Sequence, residues 1–225
     1  MTDLALDLKD VRLTLGSDAG KVNILRGVDL ALAAGATGSL VGPSGSGKSS
    51  LLLVAAGLEP ATSGLVRVGG QDLEGLSEDA RARFRRRRIG FVFQAFNLIP
   101  SMTALENVAI PLELAGRKDA DERARTELAA VGLADRESHL PGQLSGGEQQ
   151  RVAVARAFAG EADILLADEP TGNLDGATGD AVIDLMFKRA HDRGAALLLV
   201  THDTALAARC DRRFRMDDGI VQTAA

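Results

Sequence analysis

The sequence predicts an α/β fold, in which a parallel-sheet core carries an N-terminal antiparallel β flap and an inserted helical subdomain. Three observations point there. Four short apolar runs, at 38–41, 89–93, 164–167 and 195–200, each stop at a glycine or at a polar or ionisable residue. Stretches that read as helices lie between these runs. The segment 97–157 holds several helix signals and no strand signal.

A short, largely apolar run suits a strand buried on both faces of a parallel sheet. In such sheets ligands gather at the carboxyl ends of the strands. The four runs lead into Gly42, Gln94, Asp168 and Thr201-His202, so their endings predict one convergent site. Helices are expected at 48–58, stopping before Pro60, and at 77–87, which is charged and amphipathic. Thr103-x-x-Glu106 and Asp119-x-x-Glu122 are capping-box patterns, and Ala124, Leu128 and Val131 recur at helical spacing. A further helix is expected at 177–191. Residues 1–34 and 64–70 read as short strands around the turns Gly16-Ser17-Asp18 and Gly69-Gly70. One domain is therefore expected over 1–225. Its flap spans 1–34 and 64–70, its core 35–96 and 158–225, and its helical subdomain 97–157.

A chain of 225 residues is long enough for one domain with a substantial core. Its 45% hydrophobic and 25% charged residues are ordinary for a globular protein, and a net charge of −5 argues against general nucleic-acid binding. The single Cys210 excludes an internal disulfide framework and suits a reducing cytosol. The start, MTDLALDLKD, is acidic and lacks a basic-then-apolar signal, so secretion is not expected. No apolar run approaches the roughly 18–20 residues that cross a bilayer, so a membrane role has to come through a partner. Arg85 to Arg88 form a basic run, which after Glu78 and Asp79 reads as a solvated helix face rather than a nucleic-acid site.

Gly42-Pro43-Ser44-Gly45-Ser46-Gly47-Lys48-Ser49 matches G-x-x-x-x-G-K-[ST] at each required position, between an expected strand and an expected helix. Glycines there let successive backbone N–H groups face phosphates, and the helix N-terminus adds partial positive charge. Lys48 can reach the β- and γ-phosphates and the Ser49 hydroxyl can ligate Mg²⁺. Asp168 follows an apolar strand and can hold Mg²⁺ opposite Ser49. Glu169, one residue later, is placed to take a proton from an attacking water. The core is thus read as a phosphate-loop NTPase.

LSGGEQQR at 144–151, ILLADEP and THD, behind GPSGSGKS, resemble the nucleotide-binding subunit of ABC transporters over nearly the whole chain. The resemblance implies that Lys48 and the loop residues Gly42 to Ser50 bind the phosphates of ATP. It implies that Ser49, Gln94 and Asp168 serve Mg²⁺ and the attacking water. Glu169 is then the catalytic base, His202 contacts the γ-phosphate, and Lys48 and Gln94 assist. Asn173-Leu174-Asp175 matches a loop that passes between two subunits. The family works as a head-to-tail pair with two ATP between the copies, and Ser145, Gly146, Gly147 and Glu148 face the ATP of the other copy. Ser145-x-x-Glu148 is itself a capping box, so that face is a helix start with free N–H groups.

DEPTGNLD, FNLIPSMTALENVAIPL and THDTALAARCDRRFRM resemble the lipoprotein-release and macrolide-export branch, most nearly the YbbA-type ATPases. This implies an ATPase coupled to transport, peripheral on the cytoplasmic face of the bacterial inner membrane, with an FtsX-like permease as partner. The alternative is a regulator that transmits force or signal through an FtsX-like protein. A soluble nucleic-acid or ribosome-associated ATPase is the weaker alternative. Phe96, with Leu98 and Ile99, is a candidate docking surface for a permease helix, while Phe91 and Phe93 read as core. Two departures stand out. No aromatic residue precedes Phe84, so base recognition falls to apolar contact from Leu15 or Val22, or to stacking by Arg12, and weak ATP-over-GTP discrimination is expected. Glu148 stands where many relatives have Gln, which brings a negative charge towards the opposite γ-phosphate.

Overall fold

The computed structural model describes residues 3–17 and 20–224. The flap is a four-stranded antiparallel sheet of β1 (Leu4–Ser17), β2 (Gly20–Ala33), β4 (Ser63–Val68) and β5 (Gln71–Asp72), in the order β2-β1-β4-β5. Its first two strands are each 14 residues long, so this part is longer than the short strands expected. β1 runs on through Gly16 and Ser17, and Asp18 of the expected turn lies outside the described residues.

The core sheet has six strands, in the order β10-β9-β3-β8-β7-β6. The four expected apolar runs are β3 (Thr37–Val41), β6 (Ile89–Val92), β7 (Ile164–Asp168) and β8 (Ala196–Val200), all paired in parallel. β9 (Arg212–Asp217) joins β3 in parallel and β10 (Ile220–Ala224) closes the edge antiparallel to it. Neither of these two was expected. In RRFRMD only Phe214 and Met216 are buried, a one-sided alternation rather than a continuous apolar run.

The period of two along the central strands divides the core. Ile164 and Leu166 of β7, with Ala196, Leu198 and Val200 of β8, pack towards the flap and helix α1 (Lys48–Ala55). Leu165 and Ala167, with Leu197 and Leu199, pack on the other face. That face is covered by helices α3 (Ala104–Leu114), α4 (Ala120–Ala130), α5 (Gly146–Phe158) and α6 (Gly176–Arg193). Helix α2 (Glu78–Arg88) has no fully buried residue, and α7 (Thr204–Ala207) is a single turn after β8. The sequence between 97 and 145 contains α3, α4 and two short 3-10 turns, Ala134–Arg136 and Pro141–Gln143, and no strand.

The Thr103 capping box forms, with Thr103 Oγ1 accepting from the Glu106 amide and Glu106 accepting from the Thr103 amide. The Asp119 box does not. Arg117 grips both Asp119 carboxylate oxygens at 2.9 and 2.8 Å, and the carboxylate makes no bond to the helix. Its intended helix donors lose to a guanidinium fork, the stronger partner. Helix α1 is also shorter than expected, ending at Ala55, with Ala56 and Gly57 turning back on Leu52 and Val54.

Candidate ATP site

β3 ends at Val41 and α1 begins at Lys48, so the phosphate loop bridges the sheet and a helix N-terminus. Two of its glycines are required by space. A Cβ on Gly42 would sit 2.0 Å from the Met216 carbonyl oxygen. Gly47 has φ +102, and a Cβ there would press on the Met216 side chain and the Ile24 carbonyl. β2 and β9 thus clamp the loop from outside. Lys48 is buried, and its ammonium donates to the Gly42 and Pro43 carbonyls at 2.9 and 2.8 Å. Ser46 is buried with its Oγ unpartnered.

The loop opens on a cleft of about 680 Å³, lined by Gly42, Ser44, Gly45, Gly47, Lys48, Ser49, Ser50, Gln94, Asp168, Glu169 and His202. These residues were expected to act together, and the fold brings them together from four strand ends. Ile24 of the flap also lines the cleft. Leu15 and Val22 face each other across β1 and β2 farther along the hairpin, both exposed, and Arg12 is paired with Asp10 at 2.7 Å. None of these three lines the cleft; Ile24 is the flap side chain that does.

Asp168 closes β7 beside Ser49. Burial raises the Asp168 pKa, against the neighbouring Ser49 hydroxyl, while Glu169 raises it further and Lys48 opposes. Glu169 has φ +42, a conformation that non-glycine residues adopt with strain. It is held from both sides, its N–H donating to the Val200 carbonyl and its carbonyl accepting from the Gly172 N–H, each at 3.0 Å. The turn aims its carboxylate at His202, whose Nδ1 lies 3.5 Å from Glu169 Oε2. The Gln94 carbonyl accepts from Asn173 Nδ2 at 2.9 Å, and the Gln94 amide lies against Gly172.

Ser145, Gly146, Gly147, Glu148 and Asp175 do not enter this cleft. They form a second cluster where α5 begins beside α6. Ser145 caps α5 in a complete capping box and Asp175 caps α6 through the Thr178 amide. Gly146 lies against Leu174 and Asn173, and a Cβ on Gly147 would strike the Thr178 methyl at 2.3 Å. Glu148 does not point its charge outward. Its Oε2 accepts from the Ser145 N–H at 2.9 Å and from Ser145 Oγ at 2.8 Å, and Arg136 Nε meets Oε1 at 3.0 Å. Those bonds, the Ser145 backbone first, pull its pKa down to about 2.

Several positioning residues were not foreseen. Arg156 donates to the carbonyls of Phe96 and Asn97 at 2.8 and 2.6 Å, and both of those residues have positive φ. Buried Gln150 donates to the Pro170 carbonyl at 2.7 Å, and buried Asn107 ties Ile99, Met102 and Thr103 to α3. A polar residue inside an apolar helical stripe is the one sequence signal for the last two. Of the expected docking surface, Leu98 packs into the core, Phe96 is half-buried near Gly146, and Ile99 is exposed. Phe91 and Phe93 stack at 4.1 Å.

Oxygen donors of Ser49, Gln94 and Asp168 suit a hard cation such as Mg²⁺. Among the described residues no cluster of three or more His, Cys, Asp or Glu is built to hold a metal. Among the described residues, no helix is long and apolar enough to cross a membrane.

The family model described as ABC transporter matches residues 25–172, more than half of the chain. An ABC transporter ATP-binding protein, YbbA, of Escherichia coli K12 is 50% identical over 219 residues, covering 96% of each chain. The lipoprotein-releasing system ATP-binding protein LolD 2 of Caulobacter vibrioides is 48% identical over 221 residues, covering 97% of each. A solved dimer of the ATP-binding cassette MJ0796, bound to ADP and Pi after hydrolysis, superposes with TM-score 0.89 at 39% identity over 97% of each chain. With the phosphate loop, Asp168, Glu169 and His202 gathered in one cleft, the chain belongs to the ABC transporter family, as one of its ATP-binding, ATP-hydrolysing subunits.

Proposed function

We propose that this ATPase drives an FtsX-like permease of an ABC exporter, peripheral on the cytoplasmic face of the bacterial inner membrane, as a head-to-tail pair of copies closing on two MgATP. The observation that carries the reading is the division of the anion-binding groups into two places. Lys48, Asp168, Glu169, Gln94 and His202 share one cleft, while the helix start at Ser145 lies outside it. An outlying helix start with free N–H groups suits the phosphate of a second copy. The dimeric arrangement of the MJ0796 cassette supports the same reading.

In that cycle the loop amides and Lys48 hold the phosphates, Lys48 exchanging the Gly42 and Pro43 carbonyls for phosphate oxygens. Ser49, Gln94 and Asp168 would hold Mg²⁺, which when bound would neutralise charge on the phosphates. Glu169 takes a proton from water as the water oxygen attacks the γ-phosphorus, and the bond to the ADP oxygen breaks. His202, steadied by Glu169, meets the γ-phosphate. Gln94 reports the phosphate to the helical segment through the loop that Arg156 holds. Affinity purification from membranes tests the partner: a permease with large periplasmic domains and few spans is expected. RNA or ribosomes in its place would overturn the reading. Flux in reconstituted vesicles tests export, and ATP turnover without flux would leave force transmission as the role.

A further inference from the structure

The acid in the first turn of α5 is already occupied. Glu148 spends one carboxylate oxygen on the Ser145 N–H and hydroxyl, and the other on Arg136 Nε at 3.0 Å. Arg136 ends the short turn Ala134–Arg136, twelve residues before Glu148, so the contact ties two separate segments. Arg151 lies one helical turn beyond Glu148, yet makes no ion pair with it; Arg136 is the cation that meets the carboxylate.

We propose that Arg136 is a positioning residue for the phosphate contact between copies: it cancels the charge of Glu148 and holds it back as a cap, leaving Ser145, Gly146 and Gly147 to receive the γ-phosphate on the partner copy. The proposal rests on the ATP-sandwich reading above and deepens it. An uncompensated carboxylate beside this helix start would oppose the incoming triphosphate. It would also hold the Ser145 hydroxyl proton more strongly, since a carboxylate with no other donor is the better acceptor. Arg136 removes both obstacles, one by charge and one by competing for the same carboxylate. Gly146 and Gly147 supply N–H groups without side chains to block approach.

A double-mutant cycle tests this in the Glu169→Gln background, which keeps ATP from turning over. Dimer affinity is measured with ATP by sedimentation for the parent, Arg136→Gln, Glu148→Gln and the double variant. Binding of a fluorescent ATP analogue reports each protein's own cleft, and thermal melting reports the fold. Arg136→Gln is expected to weaken the dimer about tenfold, within the range for neighbours in one hydrogen-bonded network. Adding Glu148→Gln restores affinity to within about threefold, because the neutral amide keeps the capping geometry and leaves no charge to cancel. Arg136→Lys retains most of the affinity, and analogue binding stays unchanged throughout. Independent, additive effects with an intact parent dimer would overturn the role of Arg136 alone. A parent that forms no ATP-dependent dimer would overturn the sandwich reading and this proposal with it.

Discussion

His202 Nδ1 and Glu169 Oε2 lie 3.5 Å apart, reaching each other from the ends of the adjacent parallel strands β8 and β7. The backbone of Glu169 is bonded to Val200, two residues before His202. A single backbone link therefore sets the spacing of the two side chains. Glu169 is mostly shielded while the His202 side chain is 75% exposed, so the imidazole is the partner open to an incoming ligand. Glu169→Gln is expected to cut ATP hydrolysis by about 10²–10⁴-fold, the usual contribution of a positioned base, while nucleotide still binds. On the proposed reading the His202 ring meets phosphate and Glu169 takes the proton, so His202→Ala should lower turnover less than Glu169→Gln. Phosphate release assays with both variants check the order; wild-type turnover by Glu169→Gln would remove it from the role.

Arg156 bonds two successive carbonyls, of Phe96 and Asn97, in a loop whose residues both have positive φ. Burial lowers its pKa, and its fork is spent on those two backbone carbonyls. Lysine cannot reproduce two directed bonds from one planar group. Arg156→Lys should therefore loosen the loop that follows Gln94 and reduce turnover about tenfold, roughly 1.4 kcal/mol of transition-state stabilisation. ATP affinity should change much less, since Lys48 and the loop amides are untouched. A fall in affinity equal to the fall in turnover would show that Arg156 shapes the whole cleft.

The strand ends carried most of the site in the sequence, because a buried parallel strand is a continuous apolar run and its first polar residue marks the ligand edge. Gly42, Gln94, Asp168 and His202 were legible for that reason, and the glycine spacing identified the phosphate loop. β9 was not, since Phe214 and Met216 alternate with exposed arginines and give no run. Asp119 misled for a different reason: its capping pattern was present, but Arg117, two residues away, offered a stronger bond. Ile24, Arg136 and Arg156 act through contacts 12 to 60 residues distant, which no local spacing encodes.

Glu127 of α4 is 1% exposed and lies between Arg189 and Arg193 of α6, each bonded to one carboxylate oxygen. α6 is capped by Asp175 of the Ser145 cluster, so one helix links that cluster to α4. Breaking such a buried arrangement by removing one partner leaves charge uncompensated. Glu127→Ala should destabilise the protein by about 3–5 kcal/mol. Urea unfolding measures it. A loss near the value for an exposed ion pair, below about 1 kcal/mol, would mean that the arginines reach water when the acid is gone.

The flap meets the cleft through Ile24, an aliphatic side chain with no flat face for a base to stack on. Aromatic stacking contributes about 1–3 kcal/mol per base where it exists, and is itself tolerant of base identity. Apolar contact alone leaves little to distinguish adenine from guanine. ATP and GTP are expected to compete within a few-fold of each other in equilibrium binding. A strong preference for ATP would show that a hydrogen-bonding group reads the base.

Glu148 makes a further test possible through acid. Its folded pKa is pulled to about 2 from an ordinary 4.5, by the Ser145 backbone and hydroxyl and then by Arg136. A carboxylate lowered on folding contributes stability that is fully present above about 4.5 and is lost as pH falls through about 2. Glu148→Gln keeps a capping partner for Ser145, because glutamine also completes the box, and so removes the charge with little change of geometry. The wild type should exceed the variant by about 0.5–1 kcal/mol at neutral pH, the scale of a partly exposed charged pair. The gap should narrow steadily below pH of about 4.5 and close near pH of about 2. Denaturant curves taken down that range measure it. A gap of constant size would place the contribution in packing, and a gap that widened in acid would contradict the sign of the shift.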